Sequence, residues 1–498
     1  MSVIINQVRK GAYIDSVALM RIAQRIKAMP GIDEAGLMVG TSSNRDLLAD
    51  AGILDASGRT AGPGDLIIAV RAATTAMADA AIDAAVQAID ASRRGATGSG
   101  SSHWQPRTLR TGLAALPDAN LALVSVPGEF AAAEGMKALG LGLNIMIFSD
   151  NVSLADEITL KQRGRQLGLL VMGPDCGTAI IGGVPIAFAN VVPRGDIGIV
   201  GASGTGIQEV SCLIAKAGGG VSHAIGTGGR DLKAEVGGIT TLMAIDLLDQ
   251  DPTTRQVVLI SKPPADSVAR IILERVARSP KSFTICFLGA HDLTLPGNAK
   301  SARTLEAAAL LALGRPTHEE SCAPLASPAN GGRRVAGLFV GGTLCSEAQI
   351  IGRDHGARIA SNVPVPGANL LTAADSGAHS LIDLGDDAFT LGRPHPMIEP
   401  GVRDAPLLRA LADAGVGVVL LDVVLGTGSH PDPAGHLAAA LASRPAKGPH
   451  VIASITGTDA DHQGLAAQTR TLEAAGVRVA ASNAAAARMA FATVARQS

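Results

Sequence analysis

Aromatic residues are almost missing from this chain. They make up 2% of its 498 residues, with Trp104 and Tyr13 the single tryptophan and tyrosine. Proteins that stack bases need aromatic faces beside a basic groove. Here 42 basic residues stand against 44 acidic ones and no basic run occurs, so nucleic acid is not an expected partner. Cysteine is scarce too. Cys176, Cys212, Cys286, Cys322 and Cys345 are odd in number and widely spaced, and no CxxC pair occurs. That pattern indicates neither a disulfide framework nor a zinc site. No apolar run reaches about 18 residues, so no membrane span is predicted. The opening MSVIINQVRKG lacks the apolar stretch of a signal peptide, and a cytoplasmic address is expected.

What the chain does have is glycine, 59 residues of it, much alanine, and a regular rhythm of apolar strands and amphipathic helices. Its length exceeds one hydrophobic core and predicts about three or four domains. Residues 1–92 read as a small N-terminal α/β domain with strands in VIINQV, EAGLMVG and DLIIAVRA, in βαβαβα order, which suits a small open sheet. Asp15 is placed to cap its first helix. A Gly/Ser-rich linker covers 93–112. Continuous apolar strands then recur in LALVSV, NIMIFSD and LGLLVMG (113–190), and in IGIVG, VVLIS and FTICFLG (191–313). After a second linker, 314–334, they return in VAGLFVGG, VGVVLLDVVLG, VIASITG and VRVAAS (335–498). Strands apolar on both faces between helices mean parallel sheets covered on both sides. The fold class is therefore α/β, with several Rossmann- or flavodoxin-like domains.

Ligands of such sheets bind at the carboxyl ends of the strands. Glycine loops stand there: GASGTG (Gly201 to Gly206), GGTLCSE (Gly341 to Glu347), GTGSHPDP (Gly426 to Pro433) and ITGTDAD (Ile455 to Asp461). Free N–H groups at a helix start favour phosphate or carboxylate. Ser203, Gly204 and Thr205 are the first candidate phosphate ligands, against the plain alternative that Ser203 only caps its helix. Gly426, Thr427 and Gly428 are the candidate second clamp. His430 and His395 are candidate general acids or bases. Arg393 is placed to bind a carboxylate bidentately. Asp383, Asp386 and Asp387 offer carboxylates to Mg²⁺, but their spacing is no metal signature, and solvated loop acids are the competing reading. No metal is expected.

Residues 120–290 resemble the α subunit of succinyl-CoA synthetase. The matching segments are VPGEF (Val126 to Phe130), FSDNVS (Phe148 to Ser153), GPDCGT (Gly173 to Thr178), GIVGASGTGIQE (Gly198 to Glu209) and GTGGRD (Gly226 to Asp231). Residues 335–495 resemble the ligase domain of its β subunit, through GGTLC, LDVVLGTG and SITGTD. With DLGDD, GRPHPM and LLDVVLGTGSHPDP, the chain is similar overall to the FdrA family of fused synthetase-like proteins. The resemblance implies a CoA-like pocket at Val126, Pro127, Phe130, Ser149 and Cys176, and a catalytic carboxylate at Glu209, where the family's glutamate contacts the phosphohistidine, with a solvated helix residue as the competing reading. The family's phosphorylated histidine loop is not matched: the region reads GAHDLTLPGN, with His291 near the position. The nucleotide-binding ATP-grasp module is missing as well.

The resemblance implies an enzyme, a carbamoyltransferase subunit that interconverts oxalurate plus phosphate with oxamate plus carbamoyl phosphate in purine and allantoin catabolism. Phosphate or carbamoyl phosphate would sit between the helix starts of GASGTG and GTGSHPDP, an arrangement that fails if the loops lie apart. Other subunits and self-association are expected partners, and CoA is a possible ligand. The alternatives are an acyl-CoA ligase half that works with an ATP-grasp partner, and a non-catalytic scaffold.

Overall fold

The computed structural model describes residues 2–11, 16–95, 106–290, 293–317, 323–372, 377–390, 395–445 and 447–495. The chain divides into two compact units, Met1–Pro117 with Thr390–Pro394, and Asp118–Phe389 with His395–Ser498. Asp15, His291, Cys322 and Arg393 lie outside the described residues, so the cap, phosphohistidine-like and carboxylate-binding roles considered for three of them do too.

In the first unit the strands are Val3–Arg9, Ile32–Val39 and Leu66–Ala72. The third lies between the other two and runs antiparallel to both, so the expected open sheet is an antiparallel split βαβ arrangement. Apolarity on both faces puts Leu66–Ala72 in the centre. Leu66, Ile68 and Val70 pack with Leu19, Ile22, Ile26, Ile82 and Ile89 of the two main helices. Ile67 and Ala69 pack on the other side with Leu48 and Ile53. Helix Thr75–Gly95 and the Thr108-capped helix Leu109–Ala115 intrude into the stretch expected to be linker.

The second unit opens with a three-stranded parallel sheet of Leu121–Val124, Asn144–Ile147 and Val171–Met172, in chain order. Two seven-stranded sheets follow. In the first, strand Arg194–Gly201 has Val221–Gly226 on one side and Gln256–Ser261 on the other. Ser282–Phe287 and Ala299–Ser301 extend it, all parallel. Its far edge is a hairpin, Thr178–Ile181 with Val184–Ala187, turned by Gly182 and Gly183, both at positive φ. That geometry is the one two-residue hairpin turns require. In the second sheet, Arg334–Phe339 lies between His379–Asp383 and Val416–Val424. His450–Thr456 and Arg478–Ala480 follow on one side, Ile359–Ser361 and Asn369–Leu370 on the other.

In each large sheet the strand order reverses at the strand that precedes a glycine-loop helix. These helices are Gly204–Lys216 and Gly342–Asp354. Such reversal points open the crevices where α/β proteins bind ligands. The sheets share one core: Ile207, Val210 and Ile214 meet Leu344, Ala348 and Ile351, with Leu305, Ala309, Ala486 and Ala490 from two further helices. The three-stranded sheet is tied to the first large sheet by a buried charge cluster. Lys161 Nζ lies 2.9 Å from Glu157, 2.7 Å from Asp231 and 2.9 Å from the Thr227 carbonyl, all three charged side chains fully buried.

Candidate functional site

Ser203 has extended backbone and caps its helix, its Oγ accepting from Gly206 N–H at 3.0 Å. The same Oγ lies 2.5 Å from Thr343 Oγ1, in the first turn of Gly342–Asp354. The two helix starts at the two reversal points therefore meet. The first N–H groups of a helix have no acceptor inside it, so the free N–H groups of Gly204, Thr205, Gly342 and Thr343 stand near the Ser203–Thr343 contact, at the positive ends of both helix dipoles.

This pairing corrects the expected clamp. The partner of GASGTG is GGTLCSE, not GTGSHPDP. The helix after the latter begins at Pro433 and is capped by Asp432, whose carboxylate accepts from Gly435 N–H. Gly426 packs on the Ala189 carbonyl, 2.5 Å from where a Cβ would stand. Thr427 Oγ1 donates to the carbonyls of Ala187 and Ala189. Gly428 abuts the Phe188 ring. The Gly426–Gly428 turn thus braces the wall of the site.

Glu209 does not face the anion position. It is buried, accepting from Thr456 Oγ1 and, at 3.0 Å, from Asn483 N–H. Burial raises its pKa. His430 turns toward His436, with ring centres 6.3 Å apart, and His436 pairs with Asp404.

His395 lies beside Asp383, its Nε2 and Asp383 Oδ1 both within 3.2 Å of the Cβ position on Gly385. Its Nδ1 accepts from Met397 N–H at 3.2 Å, so in the neutral ring Nε2 carries the hydrogen. Burial lowers its pKa to about 4. It is therefore a hydrogen-bond donor at neutral pH rather than a base. Its ring lies 6.2 Å from Phe188, which lies 5.5 Å from Phe148. Thr178 Oγ1 donates to the Phe188 carbonyl and stands 3.0 Å from the Cβ position on Gly204.

Phe148 leads to the strand ends of the small sheet, near the residues expected to form a CoA-like pocket. Ser149 Oγ donates to the Val126 carbonyl at 2.6 Å. Pro127 opens helix Gly128–Gly140, and Phe130 is exposed on its first turn. Cys176 N–H donates to the Ile147 carbonyl, beside the strand that leads to Ser149. The Cys176 thiol is buried and burial pushes its pKa up to about 12, which disfavours the thiolate.

One residue of the site was misread in the sequence. Asp383 is no solvated loop acid. It is 7% exposed at the end of His379–Asp383, beside Gly342, and burial pushes its pKa up to about 6. Among the described residues no cluster of three or more His, Cys, Asp or Glu is arranged to hold a metal ion. Among them, too, no helix is long and apolar enough to cross a membrane.

Comparison with known proteins agrees with this architecture. Residues 338–493 match the CoA-ligase family and residues 194–289 the CoA binding domain family. The latter falls on the first seven-stranded sheet rather than on 113–190. Residues 1–106 match the AllF heavy metal-associated domain. Soft metals favour thiolate and imidazole ligands, yet that stretch holds no cysteine and one histidine, His103. The YahF protein of Escherichia coli K12 is 39% identical over 96% of both chains. The α subunit 2 of succinate–CoA ligase from Archaeoglobus fulgidus is 28% identical over 29% of this chain and 50% of its own. The SauD subunit of the sulfoacetate–CoA ligase of Bilophila wadsworthia is 28% identical over 35% of this chain and 60% of its own. Among solved structures, the dinucleotide-forming acetyl-coenzyme A synthetase 1 of Ca. Korarchaeum cryptofilum aligns over 76% of this chain and 83% of its own. Its identity is 16% and its TM-score 0.33. The chain belongs to the family of YahF, FdrA/AllF-like proteins in which succinyl-CoA synthetase-like CoA-binding and CoA-ligase domains are fused behind an AllF-type N-terminal domain.

Proposed function

We propose that the chain is the core of a CoA ligase, moving an acyl group between phosphate and the thiol of CoA at the place where its two glycine-loop helices meet. The Ser203–Thr343 contact carries this reading, because it aims two helix starts and two hydroxyls at one small volume. The acyl phosphate lies there, and the neutral His395 Nε2–H donates to charge that develops on it. CoA enters along Val126, Pro127, Phe130 and Ser149, with the Phe148–Phe188 pair as the wall between the pocket and the phosphate. A separate ATP-grasp subunit supplies the phosphoryl group. The family matches favour this reading, since both large sheets fall in CoA-enzyme families.

One observation favours a second reading, carbamoyl transfer to phosphate. Glu209, the carboxylate expected at a phosphohistidine, is committed to Asn483 and Thr456. A site that uses free phosphate needs no such histidine.

Melting of the full chain with phosphate, CoA, carbamoyl phosphate and oxamate tests both readings, since a ligand of the native state raises Tm by mass action. The ligase core requires stabilisation by CoA and by phosphate, the latter lost in Ser203→Ala/Thr343→Ala. Stabilisation by carbamoyl phosphate and oxamate without CoA moves the assignment to carbamoyl transfer. Silence from all four overturns both and leaves a scaffold.

A further inference from the structure

Asp383 has no structural task that accounts for it. Its strand neighbours Arg334–Phe339, so its side chain reaches the helix start at Gly342. Its backbone is held by Asn362, whose Oδ1 accepts from Asp383 N–H and whose Nδ2 donates to the Asp383 carbonyl, 2.9 Å each. The carboxyl Oδ1 accepts from Gly385 N–H at 2.9 Å. Oδ2 accepts no hydrogen bond from any described residue and stands 2.5 Å from the Cβ position on Gly342. It is not the cap of that helix. The N–H groups of Val340 and Gly341 donate to Asp422, at 2.8 Å each, and Asp422 is paired with Arg403.

A second buried acid beside Asp422 is unfavourable for the fold. Burial raises the Asp383 pKa to about 6, Asp386 and Asp422 push the same way, and only the Gly385 N–H and the Lys262 ammonium oppose them. His395 completes the surroundings: its Nε2 and Asp383 Oδ1 stand 2.7 and 3.2 Å from one point, the Cβ position on Gly385. An open carboxylate oxygen, a neutral imidazole N–H and two helix starts thus converge.

We propose that Asp383 is the acid–base residue of the site between the two helix starts. The inference rests on the phosphate site proposed above. With the dianion bound, the Asp383 carboxyl is protonated at Oδ2. When the CoA thiol attacks an acyl phosphate, that proton passes to the phosphate oxygen as its C–O bond breaks, and the S–H proton replaces it on Asp383 as the S–C bond forms. The carboxyl ends as it began and no further reactant is consumed. A group titrating near neutral pH serves both directions. With an amide nitrogen as the acceptor, the same carboxyl takes the N–H proton instead.

The test is calorimetry of sulfate binding to the full chain at pH 6.5, in two buffers that differ in ionisation heat. Sulfate stays a dianion, so any proton taken up comes to the protein. The parent is expected to take up roughly half a proton per sulfate as the dianion draws a proton onto its neighbour. Asp383→Asn is expected to take up none and to bind sulfate at least as tightly, while Asp386→Asn keeps the uptake. Sulfate that binds without proton uptake, or with uptake unchanged in Asp383→Asn, overturns the inference and leaves the phosphate site standing. No binding to parent or variant overturns the phosphate site and the inference with it. Turnover of acetyl phosphate with CoA, or of carbamoyl phosphate with oxamate, is expected to fall at least a hundredfold in Asp383→Asn. An unchanged rate overturns the role.

Discussion

Glu209 and Glu347 stand at the same place in the two glycine-loop helices and cap each other's halves. Each is the sixth residue of a GTxxxE segment, GTGIQE and GTLCSE. Glu209, from the first large sheet's helix, accepts from Asn483 N–H at the start of the last helix of the second. Glu347, from the second, accepts from Leu305 N–H at 2.6 Å, at the start of the last helix of the first. The exchange locks together the two halves that bring Ser203 to Thr343.

Removing either glutamate leaves buried N–H groups without an acceptor. Each such group costs about 1–3 kcal/mol. Glu209→Ala and Glu347→Ala are therefore expected to lower stability by at least that much in urea unfolding. Each is also expected to weaken phosphate binding although neither residue touches phosphate. Unaltered binding in both would show that the helix starts are held together without them.

Stability should also depend on pH through Glu347. Burial raises its pKa to about 7, against the two hydrogen bonds it accepts from Asn483 and Leu305, with Glu209 and Glu306 adding to the rise. A carboxyl with a raised folded-state pKa contributes stability that is full below its unfolded value near 4.5 and is lost as pH rises through about 7. Over that window the loss is on the order of 3 kcal/mol. Unfolding free energies between pH 4.5 and 7.5 should fall with pH in the parent, and less steeply in Glu347→Gln.

The Lys161 cluster should behave as a buried charge that cannot lose a member. Lys161→Met leaves Glu157 and Asp231 buried without their cation, and Arg230 reaches only Glu157, at 2.8 Å. The expected loss is about 3–5 kcal/mol. Its readouts are a lower Tm and the release of the three-stranded sheet to limited proteolysis before the large sheets.

Gly426→Ala should damage the fold rather than the chemistry. Gly426 has φ of +113°, and a Cβ there would stand 2.5 Å from the Ala189 carbonyl oxygen. A drop in Tm with phosphate affinity retained at low temperature is expected. Loss of affinity in a variant of unchanged Tm would return the Gly426 loop to the phosphate site.

Thiol labelling gives a last check. Cys176, Cys212, Cys286 and Cys345 are all buried, and burial raises all four thiol pKa values. None is expected to react with a disulfide reagent in the native chain, and all should react in denaturant. Fast native labelling of Cys176 would reopen it as a nucleophile.

Much of this protein was decided by local pattern. Continuous apolar runs between amphipathic helices declare parallel sheets, and glycine loops after IVG- and LFV-type strands mark the helix starts, because period and turn chemistry are local properties. The capping role of Ser203 and the strand-end position of Val126 and Ser149 follow from the same signals. The hairpin turned by Gly182–Gly183 and the repeated GTxxxE segments were also written there. What the chain order does not carry is which glycine loop meets which. GGTLCSE lies opposite GASGTG because both strands stand at reversal points of separate sheets that share one helical core, and that register depends on packing across more than a hundred residues. Burial is equally non-local: it turned Glu209 into a cap, made His395 a donor, and took Asp383 out of water. The identity of those side chains was a matter of sequence, while their charge state and partners were settled only when tertiary contacts replaced their solvent.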